Sequence, residues 1–471
     1  MTRAKLSWSD LPGARVAIWG LGREGHANLR KLISLGVEPV LVDDHPPAQA
    51  DAEGRPVLAT AEGGLAALEQ CDVVVKTPGL SRYRPEVARL SGLGIPVVGG
   101  LGLWLAEADL RRVLAVTGTK GKSTTSSVTG HLLAGLGYRC LVGGNIGVLP
   151  YDPAKTGAGD FDYWVIEVSS YQATDLPYSP PVVAVTSLHP DHLDWHGGVE
   201  QYYRDKLSMC SQPGAELTVA NGDSDLLTAR VALLGPRVEW VSAADDPGVS
   251  GSDWMEPLGL LGHHNRRNAL IARRCLVAMG VPGAADDARL RAAAAGYQGL
   301  PSRLTPIGMV GGVTFVDDSL STNVLPTLAA LDSFPGRRIA LIVGGHDRGI
   351  DYAPLAAGVL SRPAPTYVLT LPDSGPRIHA EIGQAAALNP AAALGPAVPL
   401  NPVAGNQAPN QPVAFAGVTD SPDLAAAVAA AYRWASPDGV VLLSPAAPSF
   451  GQFRDYRDRA EAFARAMRAI S

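Results

Sequence analysis

The sequence predicts an α/β fold built on parallel sheets, and three observations lead to it. Apolar, strand-like runs alternate with Ala- and Leu-rich, helix-like runs along nearly all of the 471 residues. Polar or glycine residues follow many of the apolar runs, as expected where the strands of a parallel sheet end. Hydrophobic residues make up 46% of the chain and charged residues 18%, which suits large buried cores rather than disorder.

The alternating pattern divides into three blocks, and we predict one domain for each. The blocks are residues 1–109, 110–300 and 301–471. Candidate strands lie at 16–19, 38–44 and 71–79 in the first block, at 113–117, 163–170 and 181–188 in the second, and at 314–319, 337–345, 365–371 and 439–445 in the third. A stretch near 385–412 is rich in Ala, Pro and Asn, and we interpret it as a surface loop.

Composition narrows the class of protein. The net charge of −6 and the lack of a basic stripe with interleaved aromatics argue against nucleic-acid binding. The N-terminal residues lack the apolar core of a signal peptide, and no run approaches the roughly 18 apolar residues of a membrane helix. The four cysteines are scattered, so they suggest neither a zinc site nor a disulfide framework. We expect a cytoplasmic enzyme that binds no membrane.

The stretch VLAVTGTKGKSTTSSV, residues 113–128, predicts a phosphate-binding loop between a strand and a helix. The strict pattern G-x-x-x-x-G-K-[ST] is altered, because Val116 occupies the first glycine position and Gly118 comes two residues later. Gly118 and Gly121 let the backbone approach a phosphate closely. Lys122 can neutralise β/γ oxygens and the Ser123 hydroxyl can bind Mg²⁺.

The first block carries a second glycine pattern, Gly20-x-Gly22-x-x-Gly25, directly after a strand. Asp43 ends the next strand, close to the spacing of a dinucleotide-binding fingerprint. This geometry binds any diphosphate, so NAD and a UDP-sugar both remain open from these residues.

Candidate metal and acid–base residues follow two strands of the second block. Glu167 ends one strand, where an acid beside a phosphate loop suits a metal ligand. His189, Asp191, His192, Asp194 and His196 crowd the loop after the other strand, and Lys206 lies on the helix that follows. This set suits a metal or a general base.

Polar residues also gather at the ends of strands in the third block, where α/β sheets build their sites. They are Arg303, Asp317, Asp318, Ser319, Thr322, Arg348, Ser444 and Ser449.

Together these segments resemble the Mur ligases over essentially the whole chain. The matching segments, in the family's order, are TGTKGKST, EVSSYQ, DHLDWHGGVEQYYRDK, GHHNRRNAL, GLPSR, DDSLSTN and LSPAAPSFGQF. The resemblance implies a Rossmann-like first domain that binds a UDP-muramoyl substrate and a central P-loop-type ATPase domain. It implies a Rossmann-like third domain that binds the incoming amino acid, and a monomer.

The resemblance also implies roles for individual residues. ATP would be bound by Gly118, Thr119, Lys120, Gly121, Lys122, Ser123, Thr124, Asn265, Asn268, Arg303 and Asp318. The UDP-substrate would contact Gly22, Arg23, Asp43, Gly79 and Asn145, and the amino acid would contact Thr322, Arg348, Ser444 and Ser449. Two Mg²⁺ sites would involve Ser123, Glu167, His192 and a carbamylated Lys206, with Lys122, His192 and Lys206 as catalytic residues.

The implied reaction adds glutamate to UDP-N-acetylmuramoyl-L-alanine through an acyl phosphate, in peptidoglycan precursor synthesis. We expect D-glutamate from the overall match. L-glutamate is the alternative, because Leu320 and Arg348 stand where many members carry lysine and Gly451 alters the DQF motif. An NAD-dependent dehydrogenase is less favoured, since it explains nothing in 113–128. Folylpolyglutamate synthetase is less favoured because about 109 residues precede the phosphate loop. A non-catalytic nucleotide-binding subunit would be expected to lose Glu167, His192 or Lys206.

Overall fold

Three β-sheets flanked by helices organise the chain in a computed structural model, which describes residues 5–46, 54–156, 160–249, 253–388 and 414–470. Strand pairs in the described residues are parallel, except for one antiparallel pair in the third sheet. The predicted α/β fold of three parallel-sheet domains is therefore confirmed. Central strands such as VAIW, VVAV and IALIV are fully buried, which explains their continuous apolar sequence.

The first sheet has the order β3-β2-β1-β4-β5. Its elements are β1 (Val16–Trp19), α1 (Arg23–Ser34), β2 (Val40–Asp43), β3 (Val57–Ala59), α2 (Leu65–Leu68), β4 (Val73–Lys76), α3 (Pro85–Gly92), β5 (Val97–Gly99) and α4 (Gly100–Leu105). The order reverses between β1 and β4. Such a reversal leaves a crevice at the carboxyl ends of the two strands, where ligands bind in open α/β sheets.

The second sheet has the order β11-β10-β9-β6-β8-β7, which places β6 between β9 and β8. Its strands are β6 (Val113–Thr117), β7 (Cys140–Gly144), β8 (Tyr163–Glu167), β9 (Val182–Val185), β10 (Leu217–Asn221) and β11 (Val238–Val241). Its helices are α5 (Lys122–Gly135), α6 (Pro153–Thr156), α7 (Ser170–Ala173), α8 (Leu193–His196), α9 (Val199–Leu207), α10 (Asp225–Thr228), α11 (His263–Ala278) and α12 (Asp287–Ala294).

The third sheet has the order β12-β13-β17-β14-β15-β16. Its strands are β12 (Thr305–Val310), β13 (Val313–Asp317), β14 (Ile339–Val343), β15 (Thr366–Thr370), β16 (Phe415–Asp420) and β17 (Val440–Leu443). Its helices are α13 (Val324–Asp332), α14 (Ala353–Ser361), α15 (Gly375–Leu388), α16 (Leu424–Ala435) and α17 (Tyr456–Arg468). The edge strand β12 pairs antiparallel with β13, because only the short Gly311-Gly312 turn joins them.

By contact, the chain forms two compact units. The first comprises residues 1–260 and 265–297 and contains the first two sheets; the second comprises 261–264 and 298–471 and contains the third. The predicted boundaries at 109/110 and 300/301 stay predictions.

The predicted loop near 385–412 lies mostly outside the described residues. Residues 385–388 belong to the last turn of α15 rather than to a loop. In the described parts of the chain, no helix has the length and apolarity needed to cross a bilayer.

A buried ion pair joins the first two sheets within the first unit. Lys76, at the end of β4, places its ammonium 2.5 Å from the Asp175 carboxylate, and both side chains are at most 4% exposed. The same ammonium donates to the carbonyl of Leu80 at 3.0 Å. Removing one partner of such a pair leaves an uncompensated buried charge, which costs far more than the pair itself contributes.

We expect Asp175→Asn to destabilise the first unit by about 3–5 kcal/mol, since Lys76 loses its counter-ion inside the protein. Urea unfolding followed by tryptophan fluorescence measures the effect. The double variant Lys76→Met/Asp175→Leu should recover much of the loss, because apolar residues of similar volume need no counter-charge.

Glu200→Gln is the matched control, because it breaks the Glu200–Arg230 pair of the same unit, in which the Glu200 side chain is 60% exposed. Its unfolding transition should occur at nearly the same urea concentration as that of the wild type, since exposed ion pairs are screened by water and salt. If Asp175→Asn and Glu200→Gln lower the free energy of unfolding equally, breaking the buried pair costs no more than breaking the exposed one, and the prediction is wrong.

Candidate active site

The predicted phosphate loop, residues 118–121, connects β6 to α5, and its two glycines are required by shape. Both have positive φ, 135° at Gly118 and 90° at Gly121. A Cβ at Gly118 would lie 2.2 Å from Thr186 Oγ1, and one at Gly121 would lie 2.7 Å from Asn268 Oδ1. Larger residues would therefore both strain the backbone and collide with neighbours.

The segment that follows β9 holds this loop in place. The Thr119 N–H donates to the Ser187 carbonyl at 2.9 Å, and the Lys120 N–H donates to Ser187 Oγ at 2.8 Å. Thr186 Oγ1 in turn donates to the Lys120 carbonyl at 2.5 Å. Thr186 and Ser187 were not among the residues predicted from the sequence. Their place directly after a buried strand, next to the phosphate-loop strand, was the available signal.

Two lysines converge on one carbonyl of the loop. Lys122 Nζ donates to the Gly118 carbonyl at 2.9 Å, and Lys206 Nζ donates to the same oxygen at 3.1 Å. Lys206 is 3% exposed on α9. Burial, and secondarily the nearby Lys122 charge, hold the pKa of the Lys206 amine well below its usual range. A lowered pKa favours the neutral amine, which is the form that reacts with electrophiles.

Glu167, at the end of β8, lies at the centre of a chain of hydrogen bonds. Its carboxylate is 2% exposed and accepts from Ser123 Oγ at 2.6 Å and from Asn145 Nδ2 at 2.7 Å. The Asn145 carbonyl accepts from Arg23 Nη2 at 3.0 Å. Predicted residues of the ATP, metal and UDP-substrate sets therefore lie in one connected network.

The oxygens of Ser123 and Glu167 suit Mg²⁺, which prefers hard oxygen ligands and shares them with substrate phosphates. No cluster of three or more His, Cys, Asp or Glu side chains able to hold a metal occurs in the described ranges. A Mg²⁺ ion here would take its remaining oxygens from a bound phosphate or from water.

His192 and His196 differ in their surroundings. His192 adopts a left-handed backbone (φ 51°), is half exposed, and has a pKa lowered mainly by partial burial. His196 is buried, with Nδ1 2.7 Å from Asp205 Oδ2 and Nε2 3.0 Å from Ser170 Oγ. His196 therefore supports the structure around α9, whereas the His192 ring is half exposed and lies 5.1 Å from the Tyr171 ring.

The asparagines predicted to contact the nucleotide lie near the start of α11. Both are buried, and Asn268 Nδ2 lies 3.4 Å from Asn265 Oδ1. The close approach of Asn268 Oδ1 to Gly121 places this pair against the phosphate loop.

The crevice of the first sheet brings together Gly22 and Gly79, which follow β1 and β4. A Cβ on either glycine would meet no atom within 4 Å, so both face open space. The Asp43 side chain holds the backbone of the loop after β1, because its Oδ2 accepts a hydrogen bond from the Leu21 N–H at 2.6 Å. A cavity of about 600 Å³ lies alongside, lined among others by Asp44, Thr60 and Arg84.

In the second unit, Asp318 and Ser444 belong to one buried network. Ser444 Oγ lies 2.7 Å from Asp318 Oδ2, and Ser321 Oγ donates to the same carboxylate at 2.5 Å. The Leu304 N–H adds a third hydrogen bond at 3.0 Å. Burial nevertheless raises the pKa of Asp318 to about 7. The Ser444 hydroxyl is therefore already hydrogen-bonded within the protein.

Arg303 lies between Ser302 and Leu304, both of which have positive φ.

Arg348 and Ser449 lie on two loops of the second unit that are joined through their backbones. The Gly344 N–H donates to the Pro445 carbonyl at 2.7 Å, and the His346 N–H donates to the Pro448 carbonyl at 2.8 Å. The Arg348 guanidinium lies 5.9 Å from the ring centre of the exposed Phe450. Ser449, which precedes Phe450, is buried, and Thr322 is exposed after β13. Phe450 was not among the residues predicted from the sequence.

Comparison with known proteins identifies the family. The description "Mur ligase middle domain" matches residues 116–276. A protein of Micromonospora sp. named UDP-N-acetylmuramoyl-L-alanine--L-glutamate ligase is 41% identical over 98% of this chain and 98% of its own length. The chain belongs to the Mur ligase family. Proteins of the same name from Salinispora tropica and Xanthomonas euvesicatoria are 40% and 36% identical, over 98% and 97% of this chain and 98% and 95% of their own lengths.

Solved structures agree at the level of the fold. The UDP-N-acetylmuramate-alanine ligase MurC of Thermotoga maritima matches with a TM-score of 0.54 and 17% identity, over 97% of this chain and 100% of that one. MurF of Acinetobacter baumannii also matches with a TM-score of 0.54. Its sequence identity is 15%, over 96% of this chain and 90% of that one. As a Mur ligase, the protein uses ATP, which rules against the less favoured dehydrogenase alternative.

The expectation of D-glutamate is wrong. The full-length relatives are named for L-glutamate, which was the alternative. The segments that carried the resemblance indicated the family, and they did not distinguish the two isomers.

We expect Gly121→Ala to abolish ATP binding, because the added methyl group meets Asn268 and the residue has φ +90°. Isothermal titration calorimetry with ATP measures the loss, and thermal unfolding measures the accompanying strain.

Gly137→Ala is the matched control. Gly137 has nearly the same φ, +95°, but a Cβ there meets nothing within 4 Å. It should lose stability, by about 1 kcal/mol, while ATP binding stays intact. Unchanged ATP affinity in Gly121→Ala would overturn the role given to the loop.

Proposed function

We propose that this Mur ligase joins L-glutamate to UDP-N-acetylmuramoyl-L-alanine, with ATP as the energy source. The observation that carries the proposal is the identity of 36–41% with full-length proteins named for this reaction. The connected network from Arg23 through Asn145 and Glu167 to Ser123 supports it, since the reaction must bring a UDP-substrate and ATP together.

The phosphate loop would hold the triphosphate of ATP. Its backbone N–H groups and the start of α5 favour anions, because N–H groups point outward at a helix N-terminus. Lys122 now donates to the Gly118 and Thr119 carbonyls, and it would exchange these neutral acceptors for phosphate oxygens. Its positive charge offsets the charge that develops on the transferred phosphoryl group.

Ser123, Glu167, His192 and Lys206 would bind Mg²⁺. When bound, the cation polarises phosphoryl oxygens and neutralises their charge. Lys206 would act as a carbamate, because its buried neutral amine can add CO₂ and become an anionic oxygen ligand. An ammonium at that position would instead repel both the cation and Lys122.

The acyl transfer follows from the substrates' chemistry. A carboxylate is a poor acyl donor, so the terminal carboxylate of the UDP-substrate would attack the γ-phosphorus of ATP, giving an acyl phosphate and ADP. The amino group of glutamate then attacks the acyl carbon, and inorganic phosphate leaves from the tetrahedral intermediate.

The UDP part of the substrate would occupy the crevice of the first sheet. Gly22 and Gly79 face open space there, and Arg23 offers a cation beside the diphosphate. Asp43 would contribute by holding the Leu21 peptide that precedes this loop.

The second unit would bind glutamate. Arg348 would pair with the side-chain carboxylate through its planar guanidinium, and Thr322 would add a hydroxyl donor. Ser449 would hold the α-carboxylate, and Ser444 would act indirectly, through Asp318 and the end of β17.

We expect L-glutamate to give the highest kcat/KM in a panel that also contains D-glutamate, L-aspartate and meso-diaminopimelate. Arg348→Ala should lower kcat/KM for L-glutamate roughly 10- to 100-fold, since a charge-assisted hydrogen bond is lost. ADP release in the presence of UDP-N-acetylmuramoyl-L-alanine measures both.

Arg454→Ala is the control, because Arg454 is 84% exposed and pairs only with Asp458 among its described ion-pair partners. Its kinetics should match the wild type. A preference for diaminopimelate would refute the glutamate assignment, and absence of ADP release with every amino acid would refute the reaction.

We expect Lys206→Ala to be slower by on the order of 100-fold or more, because an anionic ligand at the phosphoryl site is lost. Formate or acetate should restore part of the rate by filling the vacated oxygen position. With ¹³C-bicarbonate, a carbamate NMR signal should appear in the wild type and be absent in the variant.

Lys155→Ala controls for non-specific effects of the added acids, since Lys155 is exposed on α6. It should keep the wild-type rate with and without formate. A wild type that shows no carbamate signal would rule out the modification while leaving the ligase assignment intact.

A further inference from the structure

The loop that follows β4 is fastened to the central domain by a set of polar contacts that the reaction scheme above does not use. Trp195 Nε1 donates to the Gly79 carbonyl at 3.1 Å, and Ser81 Oγ donates to the Trp195 carbonyl at 3.2 Å. Tyr83 Oη donates to Asp205 Oδ1 at 2.6 Å and accepts from Gln201 Nε2 at 2.8 Å. Residues 79–83 therefore cannot shift without breaking contacts to α8 and α9.

The Trp195 side chain is itself tightly placed. Its ring stacks on Tyr171, with centroids 4.5 Å apart and planes 27° apart, and meets the edge of Tyr83 at 6.1 Å. The buried His196 ring lies 4.5 Å away and hydrogen-bonds Asp205 and Ser170. A side chain locked by rings on several sides can hold a hydrogen-bond partner in one position at little entropic cost.

The contact falls on a glycine that faces open space. A Cβ on Gly79 would meet no atom within 4 Å, and the carbonyl of this residue is directed to Trp195. The strand order of the sheet places this loop at the crevice between β1 and β4. Fixing the carbonyl of a residue also fixes the peptide plane that a ligand in the crevice would meet.

We propose that Trp195 is a positioning residue for the UDP-substrate, acting through the hydrogen bond from its indole N–H to the Gly79 carbonyl. Tyr83 assists by tying the same loop to Asp205, the residue that precedes Lys206 on α9. This inference rests on the proposed function, because it assumes that the crevice binds UDP-N-acetylmuramoyl-L-alanine.

Trp195→Phe tests the proposal, since it keeps an aromatic ring on Tyr171 but removes the N–H donor. The KM for UDP-N-acetylmuramoyl-L-alanine should rise about three- to tenfold, the value of one hydrogen bond. The KM for ATP and kcat should stay within about twofold. Calorimetric titration with the UDP-substrate alone should show the same loss of affinity.

Trp254→Phe is the matched control. Trp254 is a buried tryptophan of the same unit whose Nε1 has no hydrogen-bond partner among the described residues, so the change removes no hydrogen bond. Its KM values should equal those of the wild type.

Tyr83→Phe should raise the same KM, because it releases the other end of the loop from Asp205. The double variant Trp195→Phe/Tyr83→Phe should then deviate from additivity, since both side chains hold one segment.

Three results would overturn the inference. If Trp195→Phe and Trp254→Phe bind the UDP-substrate with equal affinity, the hydrogen bond from Trp195 to the Gly79 carbonyl does not position that substrate. Parallel changes in kcat and in the KM for ATP would show that Trp195 supports only the fold. A wild type that does not bind UDP-N-acetylmuramoyl-L-alanine would overturn the proposed function and this inference with it, whereas binding with no difference between the variants would overturn the inference alone.

Discussion

Close packing of the phosphate loop against the segment after β9 is the constraint on which the rest of the site depends. Thr119 and Lys120 give backbone hydrogen bonds to Ser187, and the glycine at 118 leaves room for Thr186. With the loop held this way, the carbonyl of Gly118 points to a place that both Lys122 and Lys206 reach. Burial, together with the nearby Lys122 charge, lowers the pKa of Lys206, and the neutral amine that this favours is the form that the proposed modification by CO₂ requires.

A second constraint is the polar junction between the first two sheets. It contains a buried ion pair, Lys76–Asp175, and the hydrogen bond from Gln172 to Glu24, whose pKa burial raises to about 7. Such contacts are sensitive to geometry in a way that apolar contacts are not, because an unpaired buried charge is costly. They hold the crevice between β1 and β4 in one arrangement relative to the phosphate loop, which suits the proposed transfer of a phosphoryl group between two bound substrates.

Much of the fold and part of the candidate site could be predicted from the sequence. Buried parallel strands are recognisable as continuous apolar runs, and the phosphate loop is recognisable because glycine is needed where φ is positive. The glutamate isomer could not be predicted correctly. The motifs that indicate the family do not distinguish the isomers, because selecting one isomer depends on how a few side chains are placed around a chiral carbon. The names of the full-length relatives point to L-glutamate, which the motifs did not indicate.

The sequence by itself determined the alternation of strands and helices, the central buried strands and the phosphate loop, because these depend on local periodicity and on the backbone freedom of single residues. Only the tertiary structure decided which distant residues meet. Lys206 reaches the carbonyl of Gly118, Trp195 reaches that of Gly79, and His196 is engaged by Asp205 and Ser170 instead of facing a ligand. Strand order and helix packing set these distances, and neither is encoded in the spacing of residues along the chain.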